Sequence, residues 1–252
     1  MIKKYLMSLE ERMIHIEDKL NEALSNDMND FCFDQKWGGR TYAQYGDDII
    51  IINIFNNLNI EKFSYIDIGA HHPYKISNTA LLYEYGYRGI NIEANPNLIE
   101  AFYKMRPQDK NLNVGVGVSE CELPFYMIDD YSGRNSFDKV TVENFCKKCP
   151  EFSISEIRNI KVLPLYSIID KYCDGKFPEF MSIDIEGIGY EVLSSLKKDN
   201  SPIVIDVEVN TMSNIDDNAM VVMLKDKGYE PYFKCHANLI FVRMDYYIKL
   251  KM

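Results

Sequence analysis

A chain of 252 residues is long enough for one large α/β domain with a sizeable core, and too short for two full domains to be the default. The apolar fraction of 46% is ordinary for a globular protein. A net charge of −10 and a pI near 5.0 argue against broad contact with nucleic acid, which needs clustered Lys and Arg to neutralise phosphates.

No window approaches the roughly 18 uninterrupted apolar residues of a membrane span. The opening Met1 to Glu11 turns charged too soon for a signal peptide's apolar core, so the cytoplasm is the expected compartment. Cys32, Cys121, Cys146, Cys149, Cys173 and Cys235 are spread too widely for a disulfide framework. Cys146-Lys-Lys-Cys149 has metal-ligand or redox spacing but lacks a second Cys or His pair, so the thiols read as structural or free.

Residues 1–26 read as a separate amphipathic helix, followed by a single domain over 27–252. Leu6, Leu9, Met13, Ile16, Leu20 and Ala23 fall at alternating steps of three and four, a heptad seam flanked by charges. Such a helix either pairs subunits, with a homodimer favoured, or packs on its own domain. Ser25 to Asp30 breaks the pattern as a linker. A polar loop, Thr41 to Asp48, then leads into a helix from Ile49 and is well placed for a lid over a ligand.

The repeating unit follows: strand Phe63–Ile68, helix Asn78–Tyr85, strand Gly89–Glu93, helix Asn97–Lys104, strand Leu112–Val118. This alternation predicts a parallel, doubly wound sheet. Residues about 121–174 interrupt it with an extra strand at Leu123–Ile128, a polar loop from Asp129, and a helical or irregular insert. Loops in that position usually select the substrate. The rhythm resumes with strand Phe180–Gly187, helix Tyr190–Leu196, strand Ile203–Val209 and a helix ending at Gly228, a natural C-cap. Tyr229–Cys235 and Asn238–Arg243 close the chain as an antiparallel pair joined by His236-Ala237.

The organising stretch is Tyr65-Ile66-Asp67-Ile68-Gly69-Ala70-His71-His72-Pro73. Ligands of open α/β sheets bind beyond the carboxyl ends of such strands. Glu93, 26 positions after Asp67, ends the next strand, so both carboxylates should reach one rim, and an acidic residue there suits the two donors of a ribose diol. His71 and Tyr74 stand where a dinucleotide fingerprint needs glycines. A ribose-bearing ligand without a pyrophosphate, S-adenosylmethionine foremost, fits better. A plain turn with Asp67 capping the next helix would use the same residues.

Asp184, Glu186 and Glu208 are further acidic strand ends. Methyl transfer from a sulfonium is a direct displacement, so the protein must align the acceptor oxygen and accept its proton. A carboxylate of pKa about 4 is a weak base for an alcohol unless burial raises it, a His assists or a divalent cation, Mg or Mn, acidifies the hydroxyl. Asp184, Glu186 and Glu208 are candidates for base, hydroxyl anchor or metal ligand, and His72 and His236 for an assisting base. Capping of turns and helix starts would also account for the acids.

Five blocks in order resemble FkbM-type methyltransferases: Tyr42-Ala43-Gln44-Tyr45-Gly46-Asp47-Asp48, Asp67 to Pro73, Gly89-Ile90-Asn91-Ile92-Glu93-Ala94-Asn95-Pro96, Ser182-Ile183-Asp184-Ile185-Glu186-Gly187 with Glu191-Val192-Leu193, and Asn238 to Val242. The resemblance spans about residues 40–243 and leaves the leading helix outside it. It implies a class I methyltransferase fold: Rossmann-like and doubly wound, with a mostly parallel seven-stranded sheet whose last strand is antiparallel. It also implies S-adenosylmethionine as cofactor and a hydroxyl oxygen as acceptor.

In the family's pattern Asp67, Gly69, Ala70 and His71 would cradle the methionine and ribose end, with Glu93 on the ribose hydroxyls and Ala94 and Asn95 on the adenosine side. Gln44 and the Ser77-Asn78-Thr79 helix start would close on the methionyl carboxylate. Val116 to Ser119, Val118 included, would flank the adenine. Ala94 stands where the family commonly has proline, and Gly189 where an acidic residue often follows Glu-Gly, which leaves metal use open. The implied acceptor is a sugar or sugar nucleotide for a bacterial surface polysaccharide, with Arg134 and Lys139 as candidate phosphate contacts. A non-catalytic adenosine-binding module and a nucleotide-sugar oxidoreductase remain alternatives from the residues alone.

Overall fold

In a computed structural model of the chain, the residues described are 40–185, 189–209, 217–235 and 238–251. The helix expected over residues 1–26, with its subunit-pairing role, lies outside them, as do Glu186 and His236.

Helix α1 (Asp47–Asn57) precedes strand β1 (Ser64–Ile68), and α2 (Ala80–Glu84) leads to β2 (Arg88–Ile92). Helix α3 (Pro96–Met105) is followed by two short strands, β3 (Lys110–Leu112) and β4 (Gly115–Gly117). Then come β5 (Cys121–Met127), α4 (Lys139–Lys148), β6 (Glu156–Pro164) and α5 (Leu165–Tyr172). The closing half comprises β7 (Phe180–Ile183), α6 (Gly189–Ser194), β8 (Val204–Glu208), α7 (Asp217–Asp226), β9 (Tyr229–Cys235), β10 (Asn238–Arg243) and α8 (Met244–Lys251).

Seven strands form one sheet in the order β3-β2-β1-β7-β8-β10-β9. Pairing is parallel from β3 through β8, and β10 runs antiparallel to both of its neighbours. The chain order reverses between β1 and β7, which opens a crevice at their carboxyl ends. The central strands read as near-continuous apolar runs because both faces are covered. On one face Ile66, Ile68, Met181, Ile183, Ile205 and Val207 pack with Ile168 and Ile169 of α5, Leu193 of α6 and Leu224 of α7. On the other, Tyr65, Phe180, Val204 and Ile240 pack with Ile51, Ile54 and Phe55 of α1. Each such side chain contributes about 1.5–3 kcal/mol on burial.

The strand expected over 112–118 is split between two sheets. β3 closes the edge of the large sheet, whereas β4 joins a second sheet of order β4-β6-β5. The break falls at Asn113, whose Nδ2 donates to the carbonyls of Glu93 (2.8 Å) and Ala94 (2.9 Å) instead of continuing the strand. Glycine at 115 lets the Phe137 ring pack directly on β4, since a Cβ there would meet that ring at 2.7 Å. β6 was not foreseen as a strand, although Ile160 and Val162 are buried at its period of two. The stretch 121–174 therefore supplies two strands of the second sheet, a polar loop beside the crevice, and α5, which buries Leu165, Ile168 and Ile169 in the main core. Among the described residues no helix is long and apolar enough to cross a membrane.

Candidate active site

The crevice is held together by the turn after β1. Gly69 N and Ala70 N both donate to the Ile92 carbonyl, at 2.9 and 3.1 Å, and Asp184 N donates to the Ile68 carbonyl at 2.9 Å. The ends of β2, β1 and β7 are thereby tied side by side. Gly69 has φ 82°, and a Cβ on it would lie 2.0 Å from the Asp184 carbonyl oxygen, so only glycine permits this turn. His71 follows at φ 53°, a left-handed conformation more common for His than for most residues.

The resulting cavity of about 370 Å³ is within the range of small-molecule sites. Leu98, Val116, Phe125 and Phe137 give the lining its apolar surface, the two aromatic rings meeting edge to face at 4.9 Å between centroids. Gln44, Asp67, Ser77, Asn78, Ser182, Asp184 and Glu208 give it polar surface. Glu93 and His71 also line it, and Ser132 to Phe137 of the loop after β5 form part of the wall.

Glu93 is buried at 7% exposure. Its Oε2 accepts the backbone N–H of His71 at 2.8 Å and its Oε1 that of Asn95 at 2.7 Å. Burial raises its pKa to about 7, opposed by those backbone N–H groups and reinforced by Asp67. Burial also lowers the pKa of His71, against the Tyr131 carbonyl acting as an acceptor, so the ring is neutral at pH 7. Its Nε2 is buried without a hydrogen-bond partner among the described residues. With the ring's one N–H directed to the Tyr131 carbonyl, Nε2 is the acceptor nitrogen, and leaving it unmatched is costly. A hydroxyl donor in the cavity would satisfy it.

Residues in register across five strands form a polar row on one face of the sheet, Asn111, Asn91, Asp67, Ser182 and Asp206, of which Asp67 and Ser182 line the cavity. Asp67 Oδ2 accepts from Thr79 Oγ1 at 2.6 Å, and Thr79 Oγ1 accepts from Arg106 at 3.0 Å. Arg106, fully buried, forms a salt bridge with Asp109 at 2.9 Å and donates to the Tyr65 hydroxyl at 2.7 Å. Burial raises the pKa of Asp67, with the Thr79 hydrogen bond and the Arg106 charge opposing it. Burial, then Asp47 and Asp67, push Asp206 well above the usual carboxylate range.

Gln44, Asp67, Gly69, Ala70, His71, Asn78, Glu93, Ala94, Asn95, Asp184 and Glu208, all singled out from the sequence, line this one cavity. Three residues do not. Val118 is 66% exposed and outside the wall, because the chain has already turned into the second sheet; Val116 lines the cavity instead. Thr79 is fully buried and acts from behind through Asp67. His72 is outside the wall, and its Nδ1 accepts the N–H groups of Tyr74 (3.1 Å) and Lys75 (2.9 Å), which closes a turn.

Of the helix-start N–H groups expected to face the ligand, those of Ser77 and Thr79 are committed elsewhere, Ser77 N to the Tyr42 carbonyl at 3.0 Å. Ser77 Oγ accepts from Thr79 N at 3.4 Å and Ala80 N at 3.2 Å, and Asn78, whose Nδ2 donates to Ser182 Oγ at 3.2 Å, lines the cavity beside Ser77. Ser182, Phe125 and Phe137 were not anticipated. Ser182 could have been found as a polar residue interrupting the apolar strand at the sheet's reversal. Arg134 lines the cavity, while Lys139 pairs with Glu143 at 3.5 Å on the exposed face of α4. Among the described residues, no group of three His, Cys, Asp or Glu side chains is placed to hold a metal ion.

A sheet of this order with one antiparallel strand, a glycine turn after β1 and an acid ending β2 defines the class I methyltransferase fold. A family model for the methyltransferase FkbM domain matches residues 67–231, and the chain belongs to that family. It is accordingly a methyltransferase of the S-adenosylmethionine-dependent class. Among solved structures it is similar to a precorrin-6y C5,15-methyltransferase from Geobacter metallireducens GS-15, at 15% identity, 77% of this chain, 86% of that one and a TM-score of 0.33. It is also similar to a protein from Streptococcus thermophilus described as "Putative hemolysin", at 13% identity, 82% of this chain, 70% of that one and a TM-score of 0.35. No curated protein matches the chain.

The cavity fits S-adenosylmethionine. Its apolar side chains suit an adenine, the unmatched His71 Nε2 and the Glu93 carboxyl are acceptors for a ribose diol, and Gln44, Asn78 and Asp67 supply the mixed donors and acceptor an amino-acid end needs.

Proposed function

We propose that the protein is an O-methyltransferase that uses S-adenosylmethionine to methylate a hydroxyl of a carbohydrate, presented as a nucleotide-linked sugar for a bacterial surface polysaccharide. The observation that carries the cofactor half of this reading is the buried Glu93 carboxyl, fixed by two backbone N–H groups beside the glycine turn. Glu93 and His71 accept the ribose hydroxyls, Gly69 and Ala70 let the backbone approach, and Gln44, Asp67 and Asn78 take the methionyl end. When bound, the cofactor supplies an electrophilic methyl group on a cationic sulfonium.

Asp184 and Glu208 reach the cavity beyond β7 and β8, where loops of such sheets meet a second substrate. They orient the acceptor hydroxyl and take up its proton. Arg134, on the loop after β5, supports a phosphate-bearing acceptor, because guanidinium matches phosphate oxygens in a bidentate way. That is the basis for preferring a nucleotide-linked sugar. On this reading the enzyme works in the cytoplasm and pairs through residues 1–26, supported by the heptad seam. A requirement for Mg or Mn would show as activity lost to a chelator and restored by the ion.

The test is methyl transfer from labelled S-adenosylmethionine to a panel of sugar nucleotides, free sugars, phenols and amines. Label appearing as an O-methyl sugar supports the reading; label only on phenols or amines overturns the carbohydrate assignment.

A further inference from the structure

Asn95 is placed on the adenosine side of the cavity, but its side chain is committed within the protein. It is buried at 1% exposure. Its Oδ1 caps α3 by accepting Asn97 N at 3.0 Å, and its Nδ2 donates to the Asp130 carbonyl at 2.9 Å. Asn97 Nδ2 adds a second contact to the same residue, reaching Asp130 Oδ1 at 3.2 Å. The loop that carries Asp130 braces itself through Asn135, whose Oδ1 accepts Ile128 N and whose Nδ2 donates to the Asp129 carbonyl, both at 2.8 Å. It is thus a self-supported flap rooted on β5, and Asn95 and Asn97 fix it to the corner where Glu93 sits.

We propose that Asn95 is a positioning residue: by holding the Asp130 carbonyl it latches the 129–137 loop onto the Glu93 corner, so that occupancy of that corner is transmitted to the acceptor-facing wall through one junction. This rests on the reading of the cavity as a cofactor and acceptor site. Asn95 N also donates to Glu93 Oε1, so a ribose held by Glu93 bears directly on the residue that holds the loop. Ser132 to Phe137, Arg134 among them, line the cavity in this arrangement, with Ser136 held at the far end of the loop by two backbone hydrogen bonds to Tyr126.

The test uses the full chain, S-adenosylhomocysteine as probe, and trypsin cleavage after the exposed Arg134 as the reporter of loop opening. Asn95→Asp keeps an acceptor for Asn97 N and replaces the Nδ2 donor with an acceptor facing the Asp130 carbonyl. Without ligand it should speed cleavage at Arg134 by about fivefold or more, the loss of one buried hydrogen bond. Its affinity for S-adenosylhomocysteine should change less than about threefold, and ligand should protect Arg134 in the native chain but not in the variant.

Unchanged cleavage without ligand overturns the latch. A loss of affinity as large as that of Glu93→Ala also overturns it, by making Asn95 a cofactor contact. Faster cleavage in a protein whose native form ignores S-adenosylhomocysteine leaves the latch standing and removes the cofactor reading. Asn97→Ala, which keeps the cap, should speed cleavage about twofold and serves in place of Asn95→Asp if that variant does not fold.

Discussion

Arg106 and Asp109 form a salt bridge at 2.9 Å with neither side chain exposed, and that pair anchors the network reaching the cavity through Thr79 and Asp67. Asp109 is further held by the Tyr65 hydroxyl at 2.7 Å, Asn91 Nδ2 at 3.0 Å and Gly89 N at 2.9 Å. Removing one partner of a buried pair leaves an uncompensated charge. Arg106→Met should lower unfolding stability by about 3–5 kcal/mol, measured in urea. Arg106→Lys should recover only part of this, since a point charge cannot serve Asp109, Tyr65 and Thr79 together.

The turn after β1 admits no side chain at 69. Gly69→Ala places a Cβ against the Asp184 carbonyl in a left-handed conformation. It should cost about 2 kcal/mol or more and abolish binding of S-adenosylhomocysteine, whereas Gly86→Ala, with φ 91° but open space around it, should cost about 1 kcal/mol and leave binding intact. Calorimetry and thermal melts of the two variants side by side make the comparison.

Glu93 makes both stability and binding depend on pH. Its folded pKa of about 7 lies above the ordinary 4.5, so between those values the folded chain holds a proton that the unfolded chain has released. Stability from this group is therefore fully present below about pH 4.5 and is lost as pH rises towards 7. Glu93→Gln should flatten that fall, read as urea midpoints at pH 5.5 and 8. Ligand affinity should move the other way, since an ionised carboxyl is the better acceptor for a diol. S-adenosylhomocysteine should bind about tenfold more tightly at pH 8 than at pH 6 in the native chain, with little change in Glu93→Gln.

Asp184 and Glu208 carry the acceptor side of the account. Asp184→Asn and Glu208→Gln should lower turnover by about 10²–10⁴-fold for whichever carries the proton, with S-adenosylhomocysteine affinity kept within a few-fold. Isotope-label transfer under single-turnover conditions separates this loss from slow product release.

The seven-stranded sheet was legible because its strands are apolar runs ending in polar or acidic residues, and helices alternate with them. Asp67, Gly69 and Glu93 were legible as a set because a βαβ unit of that length returns its second strand to the same rim. The split between β3 and β4 was not, because it depends on Asn113 bonding the Glu93 and Ala94 carbonyls, a tertiary event. Val118 was misplaced for that reason. His72 resembled its neighbour His71 in sequence, yet the left-handed turn at His71 sends the two rings to different surroundings. Arg106 was not singled out, because its partners Asp109, Tyr65 and Thr79 come together only in the folded chain.

The most direct test of the central claim is calorimetric titration of S-adenosylhomocysteine into the native chain and into Glu93→Ala. Binding in the low micromolar range, weakened at least about 30-fold in the variant, is the predicted result, corresponding to loss of a charge-assisted contact. Binding that survives Glu93→Ala unchanged would contradict the placement of the ribose at Glu93, and no binding to the native chain would contradict the assignment of this cavity to the cofactor.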